Sequence, residues 1–274
     1  MLPNIWIFDT YSIFLLIGVI ACFYIFYLYG KKNNFSRKYI YDILLLACVA
    51  IMSGLLFAFL FQKLFDILKD NKINAIGSMT FFGGLVGGVL GFIVGYFLII
   101  KKHYPDRNLV LDICIVAPSC ITIAHGFGRI GCFMAGCCYG VHTESIFGVV
   151  FPGMSYAVYP TQLFEACFLF ILSGVLFYLA YKKNFLYTFS IYTLCYGIFR
   201  FLIEFIRGDD RGAFFLSLSP SQWFSIFSIV ISLVLFVFFK YKYAKKEIML
   251  IKLKFGSKIL LEIKGEDNYG INSM

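Results

Sequence analysis

The chain has 274 residues, 61% of them hydrophobic and 14% charged, with a mean hydropathy of +0.84. A soluble domain averages about 45–50% apolar and about 25% charged residues, so the composition predicts an integral membrane protein without a large soluble domain. The net charge of +9 sits in short loops and in the tail, which is the placement of a topology signal and argues against a nucleic-acid partner.

About 20 consecutive apolar residues cross the hydrocarbon core. Runs of that order lie near residues 11–29, 40–62, 82–100, 109–127, 162–181, 186–206 and 219–239. No alternating strand pattern accompanies them, so each run must satisfy its backbone internally as a helix. The expected fold is an all-α integral membrane protein, a bundle of about seven transmembrane helices over residues 1–240. The first run has no basic segment before it and no small-residue cleavage site after it, so it reads as a span, not a signal peptide.

The loops sort by charge. Lys31, Lys32, Arg37 and Lys38 follow the first run, and Lys101, Lys102 and Arg107 the third. Lys182 and Lys183 follow the fifth, and Lys240, Lys242, Lys245 and Lys246 the seventh. The loop after the second run mixes Lys63, Lys69 and Lys72 with Asp66 and Asp70, and the loop after the sixth mixes Arg207 and Arg211 with Asp209 and Asp210. Positive charge marks the cytoplasmic side, which predicts an outer N-terminus and a cytoplasmic C-terminus. Residues 241–274 read as a basic cytoplasmic tail, with a partly alternating segment at Ile251–Phe255 that would suit a strand pair or an interfacial stretch.

The third run opens with Gly83, Gly84, Gly87, Gly88 and Gly91. Small residues at this spacing allow close helix packing. The alternative is a thin wall beside a lipid-entry cavity, with Gly83 and Gly84 touching the lipid.

Four places carry chemistry. Arg129 follows directly on the fourth apolar run. A guanidinium at bilayer depth costs roughly 3 kcal/mol or more, so it calls for an anion, and a lipid phosphate is at hand. In the sixth run, Tyr196, Arg200, Glu204 and Arg207 fall within an arc of roughly 80° on a helix of 3.6 residues per turn. They form a polar stripe on an apolar helix. Glu204 between Arg200 and Arg207 reads either as an internal salt bridge or as part of an anion site, because one carboxylate cannot neutralise every arginine. Arginine takes a phosphate bidentately. Gln162 and Glu165 lie one turn apart behind Pro160, where they either cap the helix at the interface or join the anion site. Cys132, Cys137 and Cys138 fall within seven residues. Small-residue packing, a disulfide, an activated thiol near Arg129, and a metal site completed by His125 or His142 all remain open. The spacing matches no zinc motif, and neither metal nor cofactor is expected.

At these residues the chain resembles the bacterial prolipoprotein diacylglyceryl transferase family. Phe82-Gly83-Gly84-Leu85-Val86-Gly87 is similar to its F-H-G-G-L-x-G stretch, and Gly128-Arg129-Ile130-Gly131-Cys132-Phe133 to its G-R-x-G-N-F signature. Pro160-Thr161-Gln162-Leu163-Phe164-Glu165 is similar to its H-P-x-Q-L-Y-E, and Tyr196 through Arg207 to its Y-G-x-x-R-F-x-x-E-x-x-R. Ser221-Gln222-Trp223 fits the start of the family's last span, and Tyr11 the tyrosine of its first. The resemblance implies a seven-span enzyme of the bacterial inner membrane. Such an enzyme moves diacylglyceryl from phosphatidylglycerol to the lipobox cysteine of a lipoprotein precursor and releases glycerol phosphate. It also implies that Arg129 and Arg200 hold the phosphate, that Tyr196 and Glu204 support that site, and that Arg207 anchors the helix.

The chain departs from the family pattern at Phe82 and Tyr159, where the family has histidine, and at Cys132, Ala135 and Cys137 within the signature. A base that activates a thiol would then have to be His125, His142, Glu165, Glu204 or a cysteine thiolate. The competing expectation is a relative that binds lipid or a membrane partner without lipobox transfer.

Overall fold

A computed structural model describes residues 4–5, 8–70, 81–105, 109–208 and 218–241. The predicted tail 242–274, the glycine-bearing loop 71–80, and the loop charges Lys72, Arg107, Asp209, Asp210 and Arg211 lie outside the described residues.

The described chain is mainly helical, with a short antiparallel pairing of Asn4–Ile5 with Phe8–Asp9, a non-helical stretch over residues 136–160 that carries isolated bridges, and one bridge from that stretch to Arg207. In chain order the helices are α1 (Thr10–Lys32), α2 (Arg37–Asp70), α3 (Phe81–Gly95), α4 (Leu109–Cys114), α5 (Ala117–Ala135), α6 (Thr161–Lys183), α7 (Thr188–Ile203) and α8 (Pro220–Tyr241). A π-helical stretch, Tyr96–Lys101, continues α3, and a 3₁₀ turn, Glu204–Ile206, continues α7. Six helices among the described residues are long and apolar enough to cross a membrane, so the protein is an all-α, multi-pass membrane protein.

The fourth predicted run is the one that differs. Its helix breaks at Ile115–Val116 and resumes as Ala117–Ala135, so Arg129 lies within the helix, not beyond its end. Pro118 explains the break, because it has no N–H to continue the preceding turn. Gly126, Gly128 and Gly131 do not end α5. With His125 and Arg129 inside it, α5 is not among the six apolar spans.

The chain divides into two units, residues 1–135 with 166–184, and residues 136–165 with 185–274. In the first unit the core gathers Phe26, Tyr39, Leu46, Ile100, Leu109 and Val116. At its edge the Tyr104 hydroxyl donates to Asp42 Oδ2 at 2.8 Å. Desolvation and that hydrogen bond push the phenol up to about 12.

Glycines set the helix spacing in this unit. A Cβ at Gly87 would lie 2.6 Å from the Ser53 carbonyl oxygen and would collide with Phe57 Cβ, and one at Gly91 would collide with Ser53 Oγ. The Ser53 hydroxyl donates to the Gly87 carbonyl at 2.9 Å, which ties α2 to α3. Close packing is therefore the reading that holds for Gly87 and Gly91. On α5, Gly131 admits Tyr11, whose Cδ2 would stand 2.9 Å from an added Cβ, and Gly18 of α1 admits the Ala124 carbonyl at 2.9 Å.

Gly87→Leu is expected to part α2 from α3 and to lower the melting temperature of the detergent-solubilised protein, at a cost of about 1–3 kcal/mol or more for overpacking. Gly128→Ala, where an added Cβ meets nothing within 4 Å, serves as its control. Equal melting temperatures for the two variants would disprove the close-packing account.

Candidate functional site

The polar stripe of α7 lies in the second unit. Arg200 and Arg207 are 7% and 8% exposed and Glu165 is 1% exposed, so these charges are withdrawn from water and require partners. Arg200 Nη2 lies 2.8 Å from Glu204 Oε2 and donates to Ser221 Oγ at 3.0 Å. Arg200 Nη1 lies 3.7 Å from Glu165 Oε2, an ion-pair distance, and makes no hydrogen bond. Arg207 Nε lies 3.8 Å from Glu204 Oε2. The Tyr196 hydroxyl donates to Glu165 Oε1 at 2.9 Å, and the Ser219 hydroxyl donates to Glu204 Oε1 at 2.9 Å.

The internal salt bridge of Glu204 with Arg200 and Arg207 exists, and Glu165 supplies a second carboxylate, so two arginines meet two glutamates. Interfacial solvation of Glu165 is excluded by its burial. Charge balance alone does not leave Arg200 satisfied. Nη1 remains a buried donor without a hydrogen bond, and leaving such a donor unpaired costs about 1–3 kcal/mol or more.

Local sequence places these groups. Residues 196, 200 and 204 repeat at four, which stacks them on one helix face, and the tighter 3₁₀ turn after Ile203 carries Glu204 into reach of Arg207. Glu165 lies one turn into α6, whose start Pro160 introduces. Ser219 and Gln222 form a capping box on α8: Ser219 N–H donates to Gln222 Oε1 at 2.9 Å and Gln222 N–H to Ser219 Oγ at 3.3 Å.

The first turn of α6 holds the cysteine loop. Gln162 Nε2 donates to the Cys137 carbonyl and Thr161 Oγ1 to the Cys138 carbonyl at 2.9 Å. Gly136 and Cys138 take positive φ of 72° and 65°, so the loop turns sharply there. Gln162 is buried and acts on that loop, while its Oε1 makes no hydrogen bond. No disulfide joins any of the nine cysteines; Cys137 is exposed, and Cys132 and Cys138 are half-buried. Beyond the loop, Gly140 bridges Arg207, and Gly140 N–H donates to the Tyr159 carbonyl at 2.7 Å. An added Cβ at Gly140 would sit 2.6 Å from the Ile206 carbonyl oxygen, so only glycine allows this approach.

The remaining expected site residues belong to the first unit. Arg129 is half-buried on α5. Gly83 is buried, and Gly84 lines an apolar cavity of about 610 Å³ with Phe26, Leu46, Ala50, Val89 and Val116. Gly88, one turn later, lines the same cavity, while Gly87 and Gly91 pack against α2. Of the candidate bases, Glu165 and Glu204 are both committed to Arg200, and His142 is exposed in the loop with its ring 5.4 Å from Tyr156.

Sequence reading gave Ser221 only as part of a motif and missed Ser219, Ser225 and Ser228. A signal was present: Ser-Pro-Ser-Gln at 219–222 is a capping-box pattern, and serines at 221, 225, 228 and 232 keep one helical face.

Comparison with known proteins places the chain in a family. A model of the family described as prolipoprotein diacylglyceryl transferase matches residues 4–238. A phosphatidylglycerol–prolipoprotein diacylglyceryl transferase of Clostridium tetani is 33% identical over 237 residues, covering 82% of this chain and 91% of that protein. One of Clostridium perfringens is 30% identical over 246 residues, covering 86% and 93%. One of Campylobacter hominis is 26% identical over 240 residues, covering 81% and 83%. With a match over nearly its whole membrane region, the chain belongs to the prolipoprotein diacylglyceryl transferase family, a family of transferases.

Proposed function

We propose that this protein transfers the diacylglyceryl group of phosphatidylglycerol to the lipobox cysteine of a lipoprotein precursor. The observation that carries the reading is the buried Arg200 Nη1, held by Glu165, Glu204 and Ser221 yet left without a hydrogen bond of its own. A preorganised donor of this kind stabilises charge that develops on a departing phosphate. Arg129 is the second phosphate ligand that the family motif implies. The apolar cavity beside Gly84 supports the binding of a hydrocarbon chain.

The step balances without a co-reactant. The acceptor thiol gives up its proton and its sulfur forms a bond to the terminal glyceryl carbon. The bond from that carbon to the phosphate oxygen breaks, and the electron pair leaves with the oxygen. The thiol proton ends on the released glycerol phosphate. The arginines carry the charge while Tyr196 and Glu165 hold Arg200 in place. The basic loops support a bacterial plasma-membrane location with the N-terminus outside and the C-terminus in the cytoplasm. Nothing in the site favours the binding-only alternative.

The test is transfer by the purified full chain from phosphatidylglycerol vesicles to a lipobox peptide. The expected result is a peptide heavier by one diacylglyceryl group and an equal amount of free glycerol phosphate. Absence of both from correctly folded protein would overturn the reading. Repeating the assay after alkylation of the enzyme checks the cysteines: transfer is expected to survive, because α6 holds the loop through the carbonyls of Cys137 and Cys138. Loss of transfer would bring a thiol into the step.

A further inference from the structure

Cys137 and Cys138 are neighbours in the non-helical stretch before α6, and the transfer step uses neither thiol. Their Sγ atoms lie within 4.8 Å of each other, and no disulfide joins them. A metal ion held by sulfur at about 2.3 Å spans two sulfurs about 4.6 Å apart when the three atoms are in line. The pair therefore stands at the reach of one two-coordinate ion.

The backbone beneath the thiols is fixed from outside the pair. Thr161 and Gln162, each 1% exposed, donate to the Cys138 and Cys137 carbonyls. Cys138 is held at a φ of 65°, an uncommon value for a residue with a side chain. Strain of this kind persists only where the surroundings enforce it, and ligand clamps are among the places that keep it. Cys137 is exposed and Cys138 half-buried, so an ion can enter from water.

Two other fates suit these thiols less well. Disulfides usually join Cα atoms about 4.4–6.8 Å apart, whereas neighbours across a trans peptide are about 3.8 Å apart. Closing that small ring would also turn the peptide whose oxygen Gln162 binds. Zinc prefers four ligands. Among the described residues no histidine or carboxylate joins these sulfurs in a cluster of metal-binding groups. Soft thiolates without harder donors favour copper(I).

We propose that Cys137 and Cys138 form a binding site for one copper(I) ion, held between two thiolates on the loop that α6 fixes. On binding, each thiol gives its proton to water and its sulfur donates an electron pair to the ion. No electron changes hands, and the bound unit carries one negative charge. The site stands apart from the transferase reading and does not depend on it.

The experiment titrates the purified full chain, reduced and free of oxygen, with copper(I) buffered by a chromophoric chelator. Copper retained per chain is measured by elemental mass spectrometry, and thiolate-to-copper charge transfer by near-ultraviolet absorption. Cys137→Ser and Cys138→Ser should each weaken binding by at least about a hundredfold, more than the loss of an outer-shell partner costs. Cys48→Ser, which removes another exposed thiol, should leave it unchanged. A second measurement needs no variant: in weak buffer the wild-type protein should release two protons per ion bound, so affinity falls as pH is lowered. Zinc at equal free concentration should not displace the ion. Failure of the wild-type protein to retain copper would overturn the site. So would equal retention by both serine variants, binding without proton release, or displacement by zinc.

Discussion

Replacing Arg200 with alanine is expected to reduce diacylglyceryl transfer by at least about a hundredfold, the loss seen when one preorganised donor to a developing oxyanion is removed. The measurement is peptide mass gain per unit time from phosphatidylglycerol vesicles, on protein shown by gel filtration to be intact. Arg200→Lys is the sharper variant. Lysine keeps the charge but has a single nitrogen in place of a rigid fork. It cannot keep the 2.8 Å pairing with Glu204, the 3.0 Å bond to Ser221 and a phosphate contact together. A large loss in the lysine variant as well would show that the geometry of the guanidinium matters beyond its charge. Full transfer by the alanine variant would remove Arg200 from the phosphate site.

The second large effect concerns stability. Glu165→Ala leaves Arg200 Nη1 without its 3.7 Å counter-ion and the Tyr196 hydroxyl without its acceptor, in a site where Glu165 is 1% exposed. Breaking a buried pair by removing one member typically costs about 3–5 kcal/mol. For a chain of this size that corresponds to a melting temperature lower by roughly 6–20 °C. Removing both partners should be less harmful than the sum of the single losses, because no uncompensated charge is then left behind. Melting curves of Glu165→Ala, Arg200→Ala and the double variant decide the matter, and strictly additive losses would mean that the two residues do not act as a pair.

The network shows how charge balance is compatible with the proposed anion site. Two carboxylates neutralise two arginines overall, yet the hydrogen-bonding capacity of the Arg200 fork is only partly used. Neutrality lowers the cost of burying the arginine, and the unused N–H keeps it available to a ligand. These are separate requirements, and the site meets both with the same residue.

Much of this was legible in the chain itself. Apolar runs of about 20 residues determine the helices, because a hydrated backbone cannot cross hydrocarbon. The four-residue spacing of Tyr196, Arg200 and Glu204 determines that they share a face, because that is the helical repeat. The glycines of α3 announced close packing, since no side chain separates the backbones. The end of α5 was not legible from apolarity. Hydropathy marks where a chain is greasy, whereas Pro118 and backbone hydrogen bonding decide where the helix starts and Arg129 does not stop it.

Only the tertiary structure decided which partners meet. Glu165 and Arg200 are 35 positions apart in the sequence, and no periodicity links an α6 carboxylate to an α7 guanidinium. Their pairing arises because two helices bring buried, opposite charges within 3.7 Å, where neither can find water. The serines of α8 were visible as letters at helical spacing. That the Ser225 and Ser228 protons go to backbone carbonyls, and that these residues line a cavity together with Arg200, depends on the packing of α8 against α7. The sequence by itself determined the membrane fold and the inventory of polar groups, since both follow from local chemistry. The tertiary structure decided which of those groups satisfy one another and which are left for a ligand, since hydrogen bonding at a buried site is settled by distance and not by order along the chain.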